Sequence, residues 1–282
     1  MFQFFKRRNK NAQTELKTIL GGYELPSFST SVINVLSKLR DPEMSMAEVV
    51  PLIEVDPGMT VRILRLVNSV GFGLTTKANN LQHAIMLMGH SRLEALVLSF
   101  GVSDSLPSSM QCMERGMFWS MAARRACLAR MIASRLHPAT QAECFTAGLL
   151  LDMAIPVLDP FHKEEYSSLI SRWRDNGESG LVELEQESFG YDHAGIGGLM
   201  AEAWKLPRYI VNAIAAHHLP HGKSAAEPAI RLVSLLNYFD EENPARALVE
   251  TAREQYNIDE AVIGEMVQQS FDYAEEFTAT FH

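Results

Sequence analysis

"DPGMTVRILRLVNSV", residues 56–70, decides the architecture. Asp56 is a helix-capping residue type, and Pro57 suits the first helical position, where its missing N–H costs nothing. Met59, Ile63, Leu66, Val67 and Val70 then recur at spacings of three and four. That spacing puts one apolar stripe on a helix and does not fit the alternation of a strand.

The same pattern runs outward in both directions. Upstream, "STSVINVLSKLRD" (29–41) lines up Val32, Val35, Leu36 and Leu39 behind Ser29 or Thr30 as a cap. "SMAEVVPLIEVD" (45–56) opens with Ser45 and Glu48 at capping-box spacing, and Pro51 is expected to kink or end it. Downstream, "NLQHAIMLMGHSRLEALVLSFGV" (80–102) reads as two helices broken at Gly89. "MFWSMAARRACLARMIASRL" (117–136) is a long helix stopped by His137-Pro138, and "TQAECFTAGLLLDMAIPVLD" (140–159) is predicted as one helix. Helices are also expected over 163–177, closed by Asn176-Gly177, and over 181–190 and 192–207, the latter capped by Asp192. A further one spans 208–220 and ends at Pro220. The last three are 229–239, 243–256 capped by Asn243, and 259–281 capped by Asp259. No strand alternation and no fixed-period repeat interrupts the series. The predicted fold is all-α, a two-lobed helical bundle without a long linker.

Net charge and cysteine usage narrow the function. A formal charge of −9 and a pI near 5.5 argue against nucleic acid and anionic membrane as partners. Three widely spaced cysteines with no CxxC pair suggest neither a zinc knuckle nor a dithiol redox site, and fit a reducing cytoplasm. No uninterrupted apolar run approaches the roughly 18 residues of a membrane span. "MFQFFKRRNK" at the start lacks the order of a signal peptide and is expected to be a tail or the lead-in to a first helix.

"FTAGLLLDMAIPVLDP" (145–160) carries one carboxylate, Asp152, inside an apolar run. A carboxylate buried there must be paired, neutralised or bound to a metal. Histidines that could join it are His193 in "YDHAG" and His217, His218 and His221 in "AAHHLPH". His217 and His221 are four apart, but Pro220 lies between them, which spoils a shared helical face. Arg124, Arg125, Arg130 and Arg135 give one helix a basic character, read as a solvated face with a phosphate contact as the alternative. Arg62 and Arg65 raise a helix-turn-helix reading that the acidity disfavours. Gly195, Gly197 and Gly198 are read as allowing close helix packing. Trp119, Trp173 and Trp204 are read as core or interface aromatics.

Taken together, "ELPSFSTSVINVLSKLRDPEMSMAEVVPLIEVDPGMTVRILRLVNSVGFG" (24–73), "LQHAIMLMGHSRLEALVLS" (81–99), "FWSMAARRACLARMIA" (118–133), "AGLLLDMAIPVL" (147–158), "ESFGYDHAGIGGLMAEAWKLP" (187–207) and "AIAAHHLP" (213–220) resemble the HDOD domain. This is the HD-related output domain of bacterial signalling proteins. The resemblance covers about residues 20–220. It implies an N-terminal tail at 1–19, an N-terminal helical lobe at 20–109, an HD-like lobe at 110–222, and a C-terminal helical extension at 223–282.

The HD superfamily comprises metal-dependent phosphohydrolases, and HDOD domains often lack part of the metal site. By the resemblance, the first ligand histidine is replaced by Met121. The motif histidine is replaced by Leu151, while its aspartate survives as Asp152. The downstream histidines correspond to His193 and to His217 or His218, and the closing aspartate corresponds to Asn237. The resemblance therefore implies a non-catalytic cytoplasmic regulatory module that expects no cofactor. It would bind a signalling protein partner, with a nucleotide second messenger as a further candidate ligand. No receiver or cyclase domain accompanies it, so its signal is expected in trans. The alternative is a divergent HD-type phosphohydrolase that holds a divalent metal on Asp152, His193, His217 and His218.

Overall fold

Asp56 accepts a hydrogen bond from the Met59 N–H at 3.0 Å, closing the N-terminus of the helix that the sequence marks most clearly. The computed structural model describes residues 12–69, 76–176, 180–219, 226–237, 239–240 and 242–278, and among them every regular element is helical. The segment 1–11, Val70, the Gly71-Phe72-Gly73 turn, Gly177, His221 and His282 lie outside the described residues.

The helices are α1 (Ala12–Ile19), α2 (Thr30–Leu39), α3 (Met46–Glu54), α4 (Pro57–Asn68), α5 (Leu81–Ser105), α6 (Arg115–Leu136), α7 (Gln141–Leu150) and α8 (Ile155–His162). After them come α9 (Glu164–Asn176), α10 (Leu181–Phe189), α11 (His193–Ala203), α12 (Arg208–Ala216), α13 (Pro228–Val233), α14 (Arg246–Tyr256) and α15 (Glu260–Thr278).

α2 to α5 pack on one another as an amino-terminal lobe, and α5 also packs on α7 of the second lobe. The caps expected at Ser29 and Asp192 form, and the Glu48 carboxylate accepts from the Ser45 N–H. α3 is not ended by Pro51 and runs on to Glu54. α5 turns at Gly89, whose φ of 72° lies in the left-handed region that glycine alone adopts without a Cβ penalty.

α6 is the axis of the second lobe. It packs on α7, α13 and α15 and is buried on most sides. One apolar cluster runs from Leu16 and Ile63 through Phe100 and Phe118 to Leu150, Met200 and Ile214. A second joins Met121, Leu128 and Leu151 to Ile230, Val233, Leu248 and Ile263. The helices after residue 223 are thus part of the packing around α6. α1, at the other end of the chain, packs on α11.

A hydrogen bond between side chain and backbone ties the lobes together, and another set pins the second lobe internally. The indole N–H of Trp204 donates to Pro26 O at 2.8 Å. The fully buried Asp159 carboxylate accepts from the Gln111 and Cys112 N–H groups at 2.6 and 2.8 Å, pinning the connection before α6 onto α8.

The single helix predicted over 140–159 is instead α7, a turn at 151–154, and α8. Pro156, within the first turn of α8, has no N–H to give to the carbonyl of Asp152. Short-range bonds from Met153 to Leu150 O and from Ile155 to Asp152 O carry the chain around. α12 likewise ends at Ala216, ahead of Pro220, and α14 begins at Arg246 rather than at Asn243.

Leu81–Ser105 and Pro138–His162 have the length and apolarity of membrane spans. However, 61% and 89% of their apolar windows are buried, so both segments belong to the core, the second as α7 and α8 with the turn between them.

Candidate functional site

Close helix packing assembles the site. At Gly148, a Cβ would lie 3.0 Å from Arg125 O and 3.1 Å from Ala126 Cα, so glycine there lets α7 lie against the backbone of α6. At Gly197 and Gly198, a Cβ would lie 2.8 Å from Ile214 and 2.7 Å from Ala215, which draws α11 onto α12. Asp152, in the turn after α7, thereby meets Arg125 of α6, His193 at the start of α11, and His217 just past the end of α12.

Asp152 is 5% exposed and Arg125 3%. The Arg125 guanidinium donates Nη1–H to Asp152 Oδ2 and Nε–H to Val233 O at 3.3 Å. The other carboxylate oxygen, Oδ1, faces His217 Nε2 at 3.4 Å and His193 Nε2 at 3.6 Å. His193 Nε2 and His218 Nε2 are 3.1 Å apart. His193 Nδ1 is 2.7 Å from Glu185 Oε2, which also accepts the His193 backbone N–H at 2.8 Å. Tyr166 donates its hydroxyl to the other Glu185 oxygen at 2.5 Å. His217 Nδ1 is held 2.6 Å from Ile214 O, a contact that needs a proton on Nδ1. In the neutral ring this leaves Nε2 as a lone pair, sealed from solvent with no hydrogen-bond partner.

The electrostatics follow from this layout. Burial works against the Asp152 charge, but the Arg125 guanidinium, with the charged His193 beside it, outweighs it and holds the carboxyl well below its ordinary range. Burial likewise opposes charge on His193, yet Glu185 and Asp152 raise its pKa to about 9. Burial keeps His217 neutral, and desolvation with the neighbouring imidazoles does the same for His218, although His218 is the exposed member of the group. At neutral pH the site therefore balances two buried anions, Asp152 and Glu185, against Arg125 and a charged His193. A charged His193 can donate one N–H to Glu185 and the other to His218.

Asp152, His193, His217 and His218 offer one ligand atom each, all within 4.8 Å of one another. Donors about 2.1 Å from a tetrahedral ion lie about 3.4 Å apart. The contacts of 3.1, 3.4 and 3.6 Å match that spacing. With the stranded His217 nitrogen, the donor set fits a divalent ion, and these four residues would hold it. Bound there, such an ion would supply Lewis-acid chemistry. Glu185 on His193 and Ile214 O on His217 are the outer partners that orient imidazole ligands.

Met121 and Leu151 lie in the apolar cluster around α6, 4% and 1% exposed. Asn237 is exposed and accepts from the Phe239 N–H at 2.9 Å in a local turn. It is α13, through Val233 O and Ser234, that faces the site. Ser234 donates to His217 O at 2.9 Å. Reading the arginines of α6 as a solvated face fails at Arg125, which is a site residue. Arg124 lies over the Phe271 ring at 4.2 Å. Arg62 is bound through two hydrogen bonds to Asp104, at 2.8 and 2.9 Å. Glu185 and Tyr166 also escaped the sequence reading, since a glutamate eight positions before a histidine carries no local pattern.

The HDOD domain family matches residues 25–220, well over half of the chain. The chain belongs to the HDOD family. This HDOD chain is 26% identical over 259 residues to an uncharacterised protein of Treponema pallidum, covering 88% of the chain and 50% of that relative. It thus spans about half the length of the curated relative it matches. Solved structures share the HDOD fold. An HDOD domain protein of unknown function from Geobacter sulfurreducens superposes with a TM-score of 0.69 at 21% identity, over 95% of this chain and 97% of that one. A candidate phosphohydrolase from Shewanella amazonensis gives 0.75 at 19% identity, over 96% and 99%. A candidate signal transduction protein from Marinobacter aquaeolei gives 0.68 at 15% identity, over 98% and 61%.

Proposed function

We propose that this protein is a cytoplasmic regulatory HDOD module that relays a signal by binding a protein partner and does not turn over phosphoesters. The observation that carries this reading is Arg125 on Asp152. The surviving HD aspartate is committed through one oxygen to a buried guanidinium, and apolar side chains fill the positions of two further HD ligands. A metal held by Asp152 and three imidazoles has four protein ligands, the closed arrangement of a structural site, whereas catalytic sites keep a position open. The fold shared with the candidate signal transduction protein of Marinobacter aquaeolei is in keeping with a regulatory role.

A second reading is favoured by the exposure of His218. If that imidazole yields its place, three ligands and an open position remain, as a metal-dependent phosphohydrolase requires. The test is to load the protein with manganese, iron or zinc, quantify bound metal by elemental mass spectrometry, and assay bis(p-nitrophenyl) phosphate hydrolysis. Metal-loaded protein without turnover, or protein that stays metal-free, supports the regulatory module. Turnover that Asp152→Asn abolishes establishes the hydrolase instead.

A further inference from the structure

On the far side of α6, away from Asp152, a notch opens where α5 meets α6 and α7. It is shallow, enclosing about 20 Å3, and its mouth is open to solvent. Arg92 comes from α5 and Arg130 from α6, with Gln141 and Thr146 of α7 beside them and Leu96 and Phe145 as an apolar wall. Both arginines are half-buried, and neither makes a hydrogen bond or ion pair with the described residues. Arg130 Nε is sealed from solvent without a partner. Burial, and with it the charge of Arg92, pulls the Arg130 guanidinium below its ordinary range.

Two converging cations with no counter-charge are costly, and the chain has 34 carboxylates from which a partner could have been drawn. Among the described residues, none of them lines this notch. Guanidinium forks match the oxygens of phosphate two at a time, and an apolar wall strengthens the attraction by excluding water. Gln141 opens α7, so that helix turns its positive end toward the same space.

We propose that this notch binds a phosphate group between the Arg92 and Arg130 guanidiniums, bridging the amino-terminal lobe and the HD-like lobe. The phosphate is either free or the head of a small phosphate ester whose body stays at the mouth. The assignment stands whether or not the Asp152 site holds an ion.

The test is isothermal titration calorimetry of the full chain, with chelator present and ionic strength held fixed, using inorganic phosphate in one arm and a nucleoside monophosphate in the other. One saturable site is expected. Arg92→Gln and Arg130→Gln should each weaken it at least 10-fold, while Arg135→Gln, at an exposed position on the same helix, leaves it unchanged. Equal affinity in the two arms identifies the free ion as sufficient, and tighter nucleotide binding identifies an ester. Without phosphate, both Gln variants should melt no lower than the parent, because each removes a like-charge repulsion. The proposal is overturned if neither probe saturates, if binding survives both substitutions, or if both variants melt well below the parent, which would make the arginines a structural pair.

Discussion

Arg125 and Asp152, 27 positions apart in the chain, form an ion pair sealed on all sides, with His193 and His217 against the carboxylate's free edge. Removing one member of such a pair strands the other charge. Asp152→Leu and Arg125→Leu are each expected to destabilise the fold by about 3–5 kcal/mol. Joint replacement by Leu at both positions should cost clearly less than the sum. Urea denaturation of the parent, the singles and the double measures this coupling. Strict additivity would contradict the pairing.

Charge on His193 gives stability a pH dependence of definite sign. Its folded pKa, about 9, lies above the ordinary histidine value of about 6.5. Its contribution is therefore complete below about pH 6.5 and is lost as pH rises through about 9. His193→Gln should lower stability most at pH 6, and the gap from the parent should narrow toward pH 10. Denaturation at pH 6, 8 and 10 reads this directly, and a gap that widened with pH would reverse the assignment.

Metal uptake should depend on pH in the opposite sense. An ion on His193 must displace the proton that Glu185 and Asp152 stabilise there. Apparent zinc affinity is expected to rise between pH 6.5 and 9, with proton release detectable by calorimetry in buffers of different ionisation enthalpy. Glu185→Gln lowers the His193 pKa and should flatten that rise.

Close approach at Gly148 leaves no room for a methyl group. Gly148→Ala places a carbon about 3.0 Å from a backbone carbonyl oxygen of α6, which cannot swing aside as a side chain can. A loss of about 1–3 kcal/mol is expected. Calorimetric melting of this variant checks it, with Gly264→Ala as the control, since nothing lies within 4 Å of a Cβ there.

Much of the fold was legible in the sequence because its signals are local. Capping residues, apolar periodicity and the His137-Pro138 stop place α2, α4, α6 and α11 within a few residues. The break at 151–154 was hidden because "AGLLLDMAIPVL" is apolar throughout, so neither helical face nor turn stands out, and Pro156 was the one clue. The four possible ligands could be named from residue type and family likeness, whereas their convergence depends on α7, α11 and α12 meeting in space. Arg125 was misread for the same reason: on a helix buried on most sides, an arginine looks no different in sequence from its solvated neighbours.

α6 runs unbroken from Arg115 to Leu136, with Arg125 reaching Asp152 and Arg130 reaching the notch against α5. Five residues of helix separate them, a rise of about 7.5 Å. The two arginines thus stand on one short stretch of regular helix. Thermodynamic reciprocity then applies: whatever factor an anion in the notch imposes on ion affinity at the histidines, the ion must impose on the anion.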